Sequence, residues 1–256
     1  MLKDLLRKLR SEDKLTIQQG LEALSRRLSS LQESDFEEAL QALIGVFYID
    51  PIDHPELLPV IEQAEGIVVD LRDRAVPVIL RSLGESDFKI HFRLASCLGK
   101  MGHSVVRPLL SAYSEAHDDY ARVFALYALG KVVDPRLLEA APLLFQALND
   151  SNPEIRDTAA RALGKVCQNV NPDLLDGATR KEAFEKLLAA ASDRFAGVRS
   201  KALRSLGKMA KAGLLTEEQR HRLQGLLARV TGRDEASNWD VAYIVRAEAE
   251  KALDYL

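Results

Sequence analysis

The sequence predicts an all-α protein, a right-handed solenoid of about six helical pairs, on three observations. Three stretches superimpose without a gap: Pro77, Pro108 and Pro142 each stand 22 residues before Gly99, Gly130 and Gly164. Ten residues after each proline comes Asp87, Asp118 or Asn152, and each run closes on Leu-Gly-Lys; a fourth copy keeps Leu206-Gly207-Lys208 and has Glu185 in the proline's place. The chain of 256 residues is 47% hydrophobic and only 6% aromatic, which suits Leu- and Ala-rich helices with a continuous core. A fixed internal period means helical pairs that bury their apolar faces against one another.

Each element follows from local chemistry. Ile17 to Leu28 reads as the second helix of a degenerate first repeat, and Ser30 to Leu71 as helical but irregular. In the clear copies, Asp87, Asp118 and Asn152 precede the second (B) helix, where a short acceptor satisfies free backbone N–H groups, and Pro153 suits a first helical position. Within the third B helix, Ile155, Ala159, Ala162, Leu163 and Val166 keep the spacing of one buried face; Ile90, Leu94, Cys97, Leu98 and Met101 match them in the first. Cys97 and Cys167 therefore read as buried thiols in different repeats, with no disulfide expected. Glycines lie 31, 34 and 43 residues apart, and the last, longer step predicts a loop over 168–179. Val245 to Leu256 reads as a final B helix, so 1–256 is expected to be one domain with clear repeats over 70–213 and capping repeats over 1–69 and 214–256.

The phrase Asn152-Pro153-Glu154-Ile155-Arg156, followed by Ala159 to Lys165, and its siblings over Arg122 to Lys131 and Val198 to Lys208, resemble HEAT repeats, most nearly the HEAT-like repeats of the phycobilisome-lyase type. The resemblance implies that Arg122, Arg156 and Arg199, at one repeat position, form a ladder between repeats with acids such as Asp150 and Asp193, and that His91 substitutes for them in the first copy. It also implies that the B helices line a concave surface.

Catalytic signatures are missing from the sequence. None of His54, His91, His103, His117 and His221 adjoins a glutamate or another histidine, and there is no Cys-x-x-Cys, His-Glu-x-x-His, phosphate-binding glycine loop or Gly-x-Ser-x-Gly. Asp118-Asp119 reads as a cap followed by a first-turn carboxylate. No metal, no cofactor and no enzymatic activity are expected, although a lyase-like role stays open through the resemblance. No apolar run approaches the roughly 20 residues a membrane helix needs, and Met1-Leu2-Lys3-Asp4 opens an amphipathic helix and not a signal peptide, so the expected location is the cytoplasm.

The solvent-facing B-helix positions carry the functional expectation. They are Lys89, Phe92, Arg93 and Ser96 in the first copy, and Tyr120, Val123, Phe124 and Tyr127 in the second. The third offers Glu154, Asp157, Thr158 and Arg161, and the fourth Ser200, Lys201 and Arg204. Aromatic residues at positions that should be wet mark a partner-binding patch, unless another element covers them. Phe92, Arg93, Tyr120, Val123, Phe124 and Tyr127 are accordingly the expected partner-binding residues. Lys100, Lys131, Lys165 and Lys208 follow each glycine and predict a basic rim. Charge is also segregated: residues 32–73 carry 11 acidic groups and 1 basic group, residues 180–233 carry 13 basic and 5 acidic, and the overall −3 conceals this.

The leading function is a non-catalytic scaffold that holds another protein, with an acidic segment as one form of partner, on its concave face. The resemblance supplies the alternative of a bilin lyase-like or bilin-handling protein, with Phe92, Tyr120, Phe124 and Tyr127 against the rings and Arg93 or Lys131 near the propionates. Nucleic-acid binding through the basic C-terminal third ranks below both, given the net charge of −3.

Overall fold

The structure is a computed structural model, and it describes residues 2–85, 88–169, 171–234 and 239–256, with the side chains of 83–85, 88, 89 and 172 set aside. Asp87, expected as a cap, and the Lys89 side chain lie outside what it describes. Every helix follows the all-α expectation. The described residues fall into two compact units, 1–108 and 109–256.

The first unit holds three helical pairs: α1 (Leu2–Leu9) with α2 (Lys14–Leu28), α3 (Glu33–Gly45) with α4 (Leu58–Asp70), and α5 (Val76–Glu85) with α6 (Phe88–Met101). Asp13 caps α2 by accepting from the Thr16 N–H at 2.8 Å. Arg74 closes the other end of that helix, donating to the carbonyls of Leu28 and Leu31 at 3.0 and 2.7 Å with its guanidinium over the Phe36 ring. Residues 30–71, read as irregular from sequence, are thus an ordinary pair whose link, residues 46–57, contains two 3₁₀ turns. Phe36, Leu40, Leu43, Ile61, Ile79, Ile90 and Leu94 form the core, and Cys97 lies in it with its thiol pushed up to about 12 by burial.

The unit boundary falls inside α7 (Val106–Glu115); the second unit continues with α8 (Asp119–Leu129), α9 (Ala141–Ala147), α10 (Pro153–Asn169), α11 (Gly177–Ala190), α12 (Ala196–Lys211), α13 (Glu217–Val230) and α14 (Tyr243–Leu253). The described helices make seven pairs where about six were expected, because the N-terminal third is as regularly paired as the rest. Asp118 caps α8 through the Ala121 N–H, and the Asn152 side chain accepts from the Glu154 N–H at the start of α10, as their positions predict. The predicted loop over 168–179 is shorter than expected: α10 runs on to Asn169, α11 begins at Gly177, and a 3₁₀ turn lies between.

The arginine ladder is present in the second unit. Arg122 pairs with Asp150, Arg156 grips Asp193 at 2.7 and 3.0 Å, and Arg199 grips Asp240 at 2.6 and 2.8 Å. The remaining Nη1 of Arg156 donates to the carbonyls of Asp150 and Ser151, and that of Arg199 to those of Asp193 and Arg194, so these two arginines tie their own turn to the next; Arg122 bonds Asp119 and Tyr113 instead. Each acid also accepts from a backbone N–H two residues on, Asn152, Phe195 or Ala242. Burial would raise these three carboxyls, but the arginine and backbone donors outweigh it and hold Asp150, Asp193 and Asp240 below the usual range. His91, at the ladder position of the first clear copy, is buried.

Candidate functional site

The B helices α8, α10, α12 and α14 pack in succession within the second unit. Glycine sets how close they come. A Cβ built on Gly164 would sit 2.1 Å from Ser205 Oγ, and that hydroxyl donates to the Ala160 carbonyl at 2.8 Å. Gly207 meets Ala252 in the same way, with its ideal Cβ 3.0 Å from the alanine methyl. The close approach brings the side chains flanking these contacts onto one crowded surface.

On α8 the expected aromatic patch is divided. Tyr120 is 44% exposed and Val123 and Tyr127 are half-buried, but Phe124 is only 6% exposed and belongs to the core. At about 100° per residue, Phe124 lies about 40° from Tyr120 toward Ala128 and Ala125, whereas Tyr127 lies about 20° to the other side. One stripe of sequence thus straddles the waterline. Phe124 instead supports Tyr127 from inside, with ring centroids 6.4 Å apart and planes tilted by 50°.

Tyr127 is flanked by cations: Lys131 Nζ lies 5.1 Å and the Arg161 guanidinium 5.0 Å from its ring centroid. Lys100, Lys131, Lys165 and Lys208 were expected as a rim; the contact of Lys131 with Tyr127 puts that lysine against the aromatic patch. Lys208 is half-buried, and its ammonium is brought down to about 8 by that burial and then by the like charges of Lys165, Arg204 and Arg161, with Glu248 opposing them. Glu248 is held at about 2, first by its paired hydrogen bonds from Arg204 at 2.9 and 2.6 Å.

Other expected contacts are already committed. In the first unit Phe92 is exposed, but Arg93 donates to Glu65 at 2.7 Å and Lys100 bonds the same carboxylate at 3.2 Å. Glu65 is buried, and a buried carboxylate needs both cations, so Arg93 and Lys100 serve the fold before any partner. Thr158 and Ser200, read as solvent-facing, are buried where α10 and α12 meet their neighbours. Glu248 went unnoticed in the sequence because its copy lacks the closing glycine; the matching offsets of Arg161 and Arg204, three residues before Gly164 and Gly207, were its only signal.

Among the described residues no group of three or more potential ligand side chains could hold a metal ion, and no helix is long and apolar enough to cross a membrane.

The successive helical pairs make an α-solenoid, and comparison with known proteins agrees. Residues 106–182 match the family described as HEAT repeats. No curated protein matches this chain. Among solved structures it is similar to the complex of CpcE and CpcF of phycocyanin lyase from Nostoc sp. PCC7120, at 24% identity and a TM-score of 0.56 over 70% of this chain and 98% of that one. This accords with the resemblance to phycobilisome-lyase-type repeats. It is also similar to an engineered protein (16% identity, TM-score 0.57, 92% of this chain and 95% of that one). A third likeness is to a chain in the structure of Kap95p with RanGDP, at 16% identity and a TM-score of 0.61 over 99% of this chain and 35% of that one. At these identities the likeness establishes the fold, an α-solenoid.

Proposed function

We propose that this protein is a non-catalytic scaffold that binds a partner protein on the B-helix face of its second unit. The observation that carries the proposal is Tyr127, half-exposed between the cations of Lys131 and Arg161, with Tyr120 exposed and Val123 half-exposed on the same helix. Aromatic rings that keep an apolar body and a polar edge at the surface anchor protein interfaces. The cations around them favour an acidic partner segment and speed its approach. The similar structures include assemblies of solenoids with other proteins, which fits this use of the fold.

Affinity capture from native lysate, wild type beside Tyr127→Asp, tests the proposal. The variant should lose a specific partner while keeping the wild-type melting temperature; an unchanged set of captured proteins would refute it. The bilin reading has less support, since one of the four aromatic residues it needs, Phe124, is interior. Visible absorbance of protein from its native host would revive it.

A further inference from the structure

Several basic side chains of the second unit are paired with carboxylates. On α10 and α12, Arg156 holds Asp193, Arg199 holds Asp240, Arg204 holds Glu248, and Lys201 lies 3.9 Å from Asp157. Four cations on the same helices make no such ion pair: Lys211, which lies 5.0 Å from the Tyr255 ring centroid, and the closer group of Arg161, Lys165 and Lys208. Arg161 stacks on Tyr127 and Lys165 makes one 3.4 Å contact with the neutral Gln168; among the described residues none of Arg161, Lys165 and Lys208 has a carboxylate at ion-pair distance, though Asp157 acts on Arg161 and Glu248 on Lys208 from farther off.

The three are held together by the fold. Arg161 and Lys165 lie four residues apart on α10, on one face at about 6 Å. Lys208 occupies the repeat position of Lys165 on α12, and the Gly164–Ser205 contact draws the two helices to close approach beside it. Charges that act on this cluster are Arg204 and Glu248 at Lys208, Asp157 at Arg161, and Lys131, which shares the Tyr127 ring with Arg161. Of the carboxylates, Asp157 faces Lys201 and Glu248 is held by Arg204 and Lys251. Burial first, and then the like charges of Lys165, Arg204 and Arg161, bring Lys208 down to about 8.

A single carboxylate would leave two of the three charges uncompensated. A phosphate monoester carries nearly two negative charges and three strong acceptor oxygens, and an arginine fork with two lysine point charges suits it. Nearby, Arg204 is held by Glu248 and Lys201 lies 3.9 Å from Asp157, so these cations are committed, and the trio suits one phosphoryl group better than the phosphate row of a nucleic acid. We propose that Arg161, Lys165 and Lys208 bind a phosphorylated side chain of the partner protein. This rests on the reading above that the B-helix face holds a protein.

The test titrates the full chain calorimetrically with a phosphoserine peptide of neutral flanking sequence, its unphosphorylated twin, inorganic phosphate and a single-stranded RNA 20-mer. The phosphopeptide should bind about tenfold or more tighter than its twin and than free phosphate. Lys165→Ala combined with Lys208→Met should remove that preference, whereas Arg229→Ala, at an exposed cation on α13, should change it less than about threefold. Lys208→Met alone should raise the melting temperature at pH 7, which shows that the variant folds and that the cluster is strained by like charge. Equal binding of the phosphopeptide and its twin, tighter binding of free phosphate or of RNA, or indifference to the double substitution would each overturn the phosphate site. If the phosphopeptide shows no preference while Tyr127→Asp still abolishes capture, the phosphate site falls and the protein-binding role stands. If capture ignores Tyr127 while the preference persists and needs Lys208, the protein-binding role falls instead.

Discussion

Gly164 and Ser205 are in direct contact across α10 and α12: the glycine has no Cβ, and the serine hydroxyl fills the space and hydrogen-bonds the Ala160 carbonyl at 2.8 Å. The backbone also approaches, since Ser205 Cα lies 3.0 Å from where a Cβ would be. Gly164→Ala should therefore cost about 1–3 kcal/mol of stability, measured by urea denaturation, despite the better helix propensity of alanine. Adding Ser205→Gly should recover part of the loss.

The ladder makes a second prediction. Arg156 and Asp193 are both nearly buried, and removal of one partner leaves an unpaired charge or stranded donors. Asp193→Ala should destabilise the second unit by about 3 kcal/mol. Glu185→Ala, which breaks the exposed pair with Arg222, should cost under about 1 kcal/mol. Melting curves of the two variants should separate clearly.

Acid sensitivity follows from the same groups. Glu248 is held at about 2, first by Arg204, against an ordinary value of 4.5, and Asp150, Asp193 and Asp240 are also lowered. A carboxyl lowered on folding contributes stability that is complete above its unfolded pKa and is lost as pH falls through its folded pKa. Stability should be level down to about pH 4.5 and fall steeply toward pH 2. Asp157, raised by burial, works in the opposite sense and is a single group against four. In Arg204→Gln the fall over this window should be shallower, as followed by denaturant midpoints at stepped pH.

Phe124 and Tyr127 should separate fold from function. Phe124→Ala removes a buried ring and should cost about 3–5 kcal/mol of stability. Tyr127→Ala should leave the melting temperature nearly unchanged and weaken partner binding by about 2 kcal/mol, close to thirtyfold in Kd. A large fall in melting temperature for Tyr127→Ala would remove it from the binding face.

The resemblance to HEAT repeats supplied the ladder with its acids Asp150 and Asp193, while the sequence by itself determined the repeating helical pairs, the caps at Asp118 and Asn152, and the burial of Cys97 and Cys167. These are dictated by periods of 3.6 residues within a helix and by a repeated offset between helices, and both are written along the chain. Only the tertiary structure decided that Phe124 is interior, that Glu65 engages Arg93 and Lys100, that Asp240 and Glu248 close the last pairs, and that Lys208 is crowded by Lys165 and Arg161. An angle of about 40° on a helix separates core from surface. Pairing between repeats depends on which side chains meet across the packed helices, which no local spacing records.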